Sequence, residues 1–389
     1  MREAVATSFN KLKAYCEENQ YKGWDPYDGL NSGVFASLPF IRNNRFCKLA
    51  WIQFFKRSPV NFRKIAGVKK DFNSKGLGLF LSGYCNLYNL DPQQTYLDKI
   101  IFLANKLIEL QNKNYAGSCW GYNFDWQARA FFQPKNTPTV VATSYVADSL
   151  FNAYEITSEK KFLETALSSA DFVLKDLNRS YDNKGNFSFS YSPLDNTQVF
   201  NASLLGARLL SRSLFYTKSE TYKAAAQKAV AFVCERQQQN GAWAYGTLPF
   251  HQWIDNFHTG FNLECINAYR DYTGDNSYDY NLQRGFDFYL KTFFRKDGAG
   301  KYYHDKLYPI DIHSQAQLII TVSKLDLFQQ YSDLAERVMK WTINNMQDEK
   351  GYFYYQKNKF FSSRIPYMRW AEAWMFYAMS YYLKETADK

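Results

Sequence analysis

The stretch QQQNGAWAYG, residues 237–246, decides the fold. A helix-like run from Tyr222 to Gln239 stops at Asn240-Gly241, and Trp243 and Tyr245 follow at alternate positions of an extended segment. The arrangement recurs along the chain. GSCWGYNFDWQ (117–127) follows the helical run 97–112, and GNFSFSYSP (185–193) follows 162–178. GAGKYYHDKLYP (298–309) follows 280–295, and GYFYYQKNKF (351–360) follows 333–347. From Trp120 to Phe187, Trp243, Tyr302 and Phe353 the steps are 67, 56, 59 and 51 residues. Repeats of this length indicate stacked supersecondary units rather than separate domains.

Each aromatic loop is followed by a second, more apolar helical run, at 140–156, 198–216, 258–272, 311–326 and 366–383. The preceding helix of each unit is amphipathic. In 222–236, Tyr222, Ala226, Ala229, Val230 and Val233 form one stripe while Lys223 and Lys228 face away. An upstream pair, 41–57 with 77–90, completes six hairpins, and 3–18 reads as an extra N-terminal helix. The expectation is an all-α fold, an (α/α)6 toroid with the richer helices inside. Residues 1–389 then make a single toroid domain, with 1–40 a helix and loop packed on it. The glycine ends each outer helix, and the aromatics after it are expected to line a shared mouth.

The segment FVCERQQQNGAW (232–243) resembles the QW motif of terpene cyclases and their prenyltransferase relatives, which are α/α toroids. The hairpin rhythm is similar to that of six-hairpin glycosidases, toroidal polysaccharide lyases, and uronate and N-acyl-glucosamine epimerases. It covers nearly the whole chain and speaks to fold, not to one chemistry. The acidic DxDD motif of the cyclases is absent, as is an Asp…Cys…His zinc set like that of the prenyltransferases. YKGWDPYDGLNSG (21–33) resembles segments of proteins associated with surface-polysaccharide synthesis.

Composition narrows the function classes. The chain has 33 Phe, 31 Tyr and 9 Trp, rings that suit packing between helices and equally suit stacking on sugars. The net charge of +10 favours an anionic partner, but the basic residues read as scattered and no nucleic-acid motif is present. The six cysteines are widely spaced with no CxxC pair, which argues against a disulfide framework or a zinc finger. The first twenty residues lack the apolar core of a signal peptide, and no run of 18 apolar residues occurs, so a cytoplasmic protein without an integral membrane segment is expected.

Candidate functional residues concentrate where loops meet inner helices. PFHQWIDNFHTGFNLE (249–264) carries His251, Trp253, Asp255 and His258, and the next loop carries Tyr303, His304, Asp311 and His313. Histidine is the side chain best placed to exchange protons near neutral pH. Asp255 and Asp311 stand where each caps a helix or orients an imidazole. FFSSRIPYMRWAEAW (360–374) offers Arg364 and Arg369 as a carboxylate clamp, Trp370 as a stacking ring and Glu372 as an acid or base; Arg369 and Glu372 are also spaced for a helix ion pair. CWGYNFDWQARAFF (119–132) adds Trp120, Tyr122, Asp125 and Trp126, and Trp243 and Tyr245 extend the aromatic set. Asp25 and Asp28 read as Asx-turn residues. No HExxH-like spacing is present, so neither a metal nor a cofactor is expected.

The sequence thus points to an enzyme acting on an acidic sugar or polysaccharide by proton abstraction, of epimerase or lyase type. His258, His313, Asp255, Tyr303 and Glu372 are its candidate catalytic residues, and the partner is an anionic saccharide. A glycoside hydrolase with two cleft carboxylates and a non-catalytic saccharide-binding toroid are the alternatives.

Overall fold

In the computed structural model, which describes residues 1–387, two concentric sets of helices form a closed ring. The chain runs through α1 (Arg2–Glu18), the short α2 (Gly33–Ala36) and α3 (Pro39–Arg42), α4 (Arg45–Arg57), α5 (Ser74–Leu90), α6 (Gln94–Glu109) and α7 (Val140–Thr157). It continues through α8 (Lys160–Lys175), α9 (Phe200–Thr217), α10 (Glu220–Cys234), α11 (Asn256–Thr273) and α12 (Asp279–Phe293). α13 (Ile312–Lys324), α14 (Ser332–Met346) and α15 (Ala373–Glu385) complete it. The inner ring is α5, α7, α9, α11, α13 and α15, each packed on the next, with α15 returning to α5.

Sequence explains which helix goes where. Inner helices are buried nearly all round: α7 hides Val140 through Ala147 without a break. Outer helices bury one stripe; in α8 it is Phe162, Ala166, Ser169, Ala170 and Val173, at helical spacing. The N-caps of α5, α7, α11 and α13 are Asn73, Thr139, Asp255 and Asp311, whose side chains accept first-turn N–H groups.

The outer ring differs from the sequence expectation at one place. Helix α4 does not pair with α5. The N-terminal helix α1 instead lies outside α15, burying Val5, Phe9, Leu12 and Cys16, with Phe9 and Phe376 rings 4.9 Å apart. So α1 is a ring member rather than an addition, and the toroid closes through the two ends of the described chain. The stretch 19–73, with α2 to α4, is an excursion at the mouth. The 41–57 run misled because its apolar stripe (Ile52, Phe55) packs under its own loop: Phe55 clusters with Ala66 and Val68.

The aromatic loops also divide differently. Trp120 and Trp243 are at most 2% exposed, and their indoles donate to Leu107 O (2.7 Å) and Val233 O (3.1 Å) in the outer helices they follow. They plug helix ends rather than line a mouth. Gly241 (φ +91°) lets its loop lie on α12, where a Cβ would come within 2.3 Å of Arg284 O. Gly351 (φ +96°) does the same on α1 against Lys11 O. Short strands pair within and between loops: β1 (Trp126–Gln127) with β2 (Phe132–Gln133), β3 (Arg179–Tyr181) with β4 (Phe187–Phe189), and β5 (Ile310–Asp311) with β6 (Gln356–Lys357) and then β7 (Ser362–Ser363).

If α1 closes the ring, Phe9→Ala should cost as much as a core truncation inside the toroid, about 3–5 kcal/mol. Urea unfolding measures this; a loss below about 1 kcal/mol would mark α1 as peripheral.

Candidate active site

At the loop end of the ring a cavity of about 850 Å³ opens between the loops, the excursion and the starts of the inner helices. All four histidines line it, with Tyr122, Trp126, Tyr245, Trp253, Tyr303 and Trp370. Six cationic side chains reach the wall (Lys56, Arg57, Lys75, Arg129, Lys306 and Arg369), against one carboxylate, Asp305, among the described residues. The cavity therefore suits an anionic ligand with flat apolar faces.

His258 sits in the first turn of α11. Asp255 caps that turn, accepting from the His258 backbone N–H at 3.0 Å, and also accepts from its ring Nδ1 at 2.7 Å and from Trp253 Nε1 at 2.9 Å. The two roles open to Asp255 in the sequence are thus filled together. With Nδ1 committed to a buried carboxylate, Nε2 is the nitrogen left for proton exchange. The Trp253 ring stacks on Tyr245 at 4.4 Å, forming an aromatic platform in the wall.

His313 is held differently. Its ring lies between Phe257 (4.3 Å, 6° between planes) and Trp374 (4.0 Å, 27°), and neither ring nitrogen has a hydrogen-bond partner. Burial holds its pKa well below the usual histidine value, and the Lys75 ammonium pushes the same way. The two imidazoles both touch Phe257, His258 at 4.4 Å. Asp311 does not reach the His313 ring: it accepts from the His313 N–H, Gln356 Nε2 and Trp370 Nε1, and so fixes Trp370. Tyr303 lines the cavity, and burial, then Asp255, raises its phenol to about 12, which makes it a proton donor rather than a base.

Lys75 escaped the sequence reading. It lies in the first turn of α5, 4% exposed, its ammonium 4.4 Å from the Tyr145 ring centroid and 5.0 Å from that of Trp374. Among the described residues it has no carboxylate in ion-pair range. Burial, then Arg369 and Arg208, lowers its pKa well below the usual lysine value. Its signal in the sequence was a lysine one residue inside an otherwise apolar inner helix.

Other expected site residues lie elsewhere. Glu372 is fully buried within a π-turn (Met368–Glu372) and accepts from the Phe353 N–H at 2.9 Å, pegging the fifth aromatic loop. It forms no pair with Arg369, whose guanidinium meets both oxygens of Asp25 at 2.5 and 2.7 Å. That fork is filled, so Arg369 is no free carboxylate clamp. Asp25 and Asp28 do make the Asx-type bonds expected of them, and Asp28 also pairs with buried Arg63 at 2.6 Å. Asp125 accepts from Lys135 N and Arg364 is exposed over Tyr354; neither lines the cavity. Nor are inner-helix N-termini free to bind an anion, because caps and neighbouring loops take their N–H groups. Among the described residues no three His, Cys, Asp or Glu side chains are grouped to hold a metal ion, and no helix is long and apolar enough to cross a membrane.

No protein-family model matches this sequence, nor does any curated protein. Solved structures share its fold. Cellobiose 2-epimerase from Bacillus thermoamylovorans superposes with a TM-score of 0.63 at 12% identity, covering 81% of this chain and 88% of that one. A GH76 alpha-mannanase of Bacteroides thetaiotaomicron gives 0.62 at 14% identity, with 81% and 88% covered. An unsaturated glucuronyl hydrolase specific for heparin gives 0.62 at 12% identity, with 98% and 96% covered. These likenesses establish the α/α toroid.

The His313 environment fixes a sign for pH dependence. Its folded pKa is depressed, so below about 6.5 the unfolded chain takes up a proton that the folded chain refuses. Stability is then present above 6.5 and lost as pH falls, by at most about 1.4 kcal/mol per pH unit. Urea unfolding between neutral and mildly acidic pH should show this slope reduced by one proton in His313→Phe. Equal slopes in the two proteins would contradict it. Asp28 and Asp311, which burial raises to about 6, act in the opposite sense and cancel in the comparison.

Proposed function

We propose that the chain is a carbohydrate-active enzyme that moves a carbon-bound proton of an acidic sugar or polysaccharide, as an epimerase or a lyase. The observation that carries this reading is the makeup of the cavity wall: two imidazoles that both touch Phe257, and an excess of cations over a lone carboxylate. The fold neighbours named as a sugar epimerase and as a hydrolase of unsaturated glucuronyl groups support a saccharide, and the second an acidic one.

Removing the proton beside a uronate carboxyl requires a base, a group that neutralises the carboxylate as the enolate forms, and an acid. His258 is the base, held by Asp255 with Nε2 open. Lys75 neutralises the carboxylate: its ammonium lies against aromatic rings and has no ion-pair partner among the described residues, so it is open to an arriving anion. The Tyr303 phenol delivers the proton on return, and proton exchange with solvent restores the phenol and the neutral His258. Trp126, Trp370 and the Tyr245–Trp253 stack supply faces for sugar rings. A hydrolase needs two carboxyls about 5–9.5 Å apart across the bond, and Asp305 alone in the wall supports that reading less well.

The test is incubation with uronic-acid oligosaccharides in deuterated water, read by proton NMR and mass spectrometry. Deuterium at a ring carbon or a new double bond is expected, with kcat falling about 10²–10⁴-fold in His258→Gln. Lys75→Met should lower kcat as well as raise KM, because the ammonium stabilises the enolate as it forms. Cleavage without deuterium at carbon would transfer the case to Asp305 and hydrolysis; binding without any turnover would leave a saccharide-binding toroid.

A further inference from the structure

The excursion at the mouth has a composition unlike the rest of the chain. Between Gly29 and Lys70 there are nine Lys or Arg and not one Asp or Glu; Arg63 is buried against Asp28, and the other eight make no ion pair among the described residues. The basic residues that read as scattered are in fact gathered. The same stretch carries three of the four most exposed large apolar side chains among the described residues: Phe40 at 92%, Ile65 at 84% and Phe46 at 76%. In α4, Ile52 and Phe55 face inward while Phe46 and Phe54 are exposed. α3 packs on the start of α4, so Phe40 and Phe46 belong to one region, with Arg42 and Arg45 between them.

Exposed rings interspersed with unopposed cations restrict what covers this face. A second copy of the chain would set one strongly basic surface against another, which costs free energy at short range. A nucleic acid would satisfy the charges but leave Phe40, Phe46 and Ile65 in water. An anionic lipid surface meets both demands at once: the rings enter the boundary between headgroups and acyl chains, and the cations meet lipid phosphates. We propose that the α2–α4 excursion docks this protein peripherally on an anionic lipid bilayer. The proposal stands independently of the reaction assigned above. Because α4 also turns Leu49, Gln53 and Arg57 into the cavity wall, docking brings the mouth to the headgroup layer.

Co-sedimentation of the full chain with phosphatidylcholine vesicles, with and without phosphatidylglycerol, tests this at low and high salt. Binding is expected only with phosphatidylglycerol. It should fall about tenfold in Phe40→Ser/Phe46→Ser and in Lys64→Gln/Lys69→Gln alike, since apolar insertion and charge act together. All four positions are exposed, and unchanged melting curves check that the fold is intact. Three results would overturn the proposal. One is no vesicle binding at all; another is binding that falls with the lysine pair but not with the phenylalanine pair. The third is self-association in sedimentation velocity that Phe40→Ser/Phe46→Ser abolishes, which would assign the face to a second copy.

Discussion

One hydrogen bond, repeated round the ring, holds the site together. The first residue of an inner helix donates its N–H to a carbonyl of the aromatic loop of the following unit: Val140 to Tyr191, Phe200 to Tyr245, Asn256 to Tyr302 and Ile312 to Tyr355, at 2.9–3.2 Å. At α5 the Ser74 hydroxyl makes the equivalent bond to Gly121 O. The bond satisfies a donor that every helix start leaves open, and it ties each loop to the unit before it. Tyr122, Tyr245 and Tyr303 stand in the wall because their loops cannot drift, and the His258 and His313 rings sit on helix turns anchored the same way.

The ring was legible in the sequence because it is a repeat. Gly241 and Trp243 recur in kind at Gly298 and Tyr302 and at Gly351 and Phe353, and a recurrent helix stop is a strong signal. The histidine grouping was legible for the same reason, since all four fall in two adjacent loops. What misled was adjacency. The 41–57 run looks like an outer helix because it precedes α5, whereas the true partner of the last inner helix lies at the other end of the chain. Trp120 and Tyr122 look alike on paper, yet one plugs a helix end and the other reaches the cavity. That division depends on where the outer helix's last carbonyls point. Glu372 misled through a π-turn, which shifts side chains away from the faces that a regular helix assigns them.

The cavity and the ring interior handle charge in opposite ways. Deeper among the inner helices, Asp148 lies near Arg208, Arg212 and Lys324, and Lys324 also meets Glu264, so buried charges have partners. At the cavity wall the Lys75 ammonium lies against aromatic rings, and the His313 ring nitrogens have no hydrogen-bond partner among the described residues. Burial without a partner normally costs several kcal/mol per charge, and it is tolerated here at a surface a ligand can reach. The arrangement keeps these groups responsive to what enters.

The closure of α1 on α15 has a consequence for how the chain is made. α1 leaves the ribosome more than 350 residues ahead of its partner α15. At about 5–20 residues per second, roughly 20–70 s pass with Val5, Phe9, Leu12 and Cys16 uncovered. During that interval the nascent chain carries an apolar stripe that α15 will later cover. Ring closure therefore waits until α15 has been made.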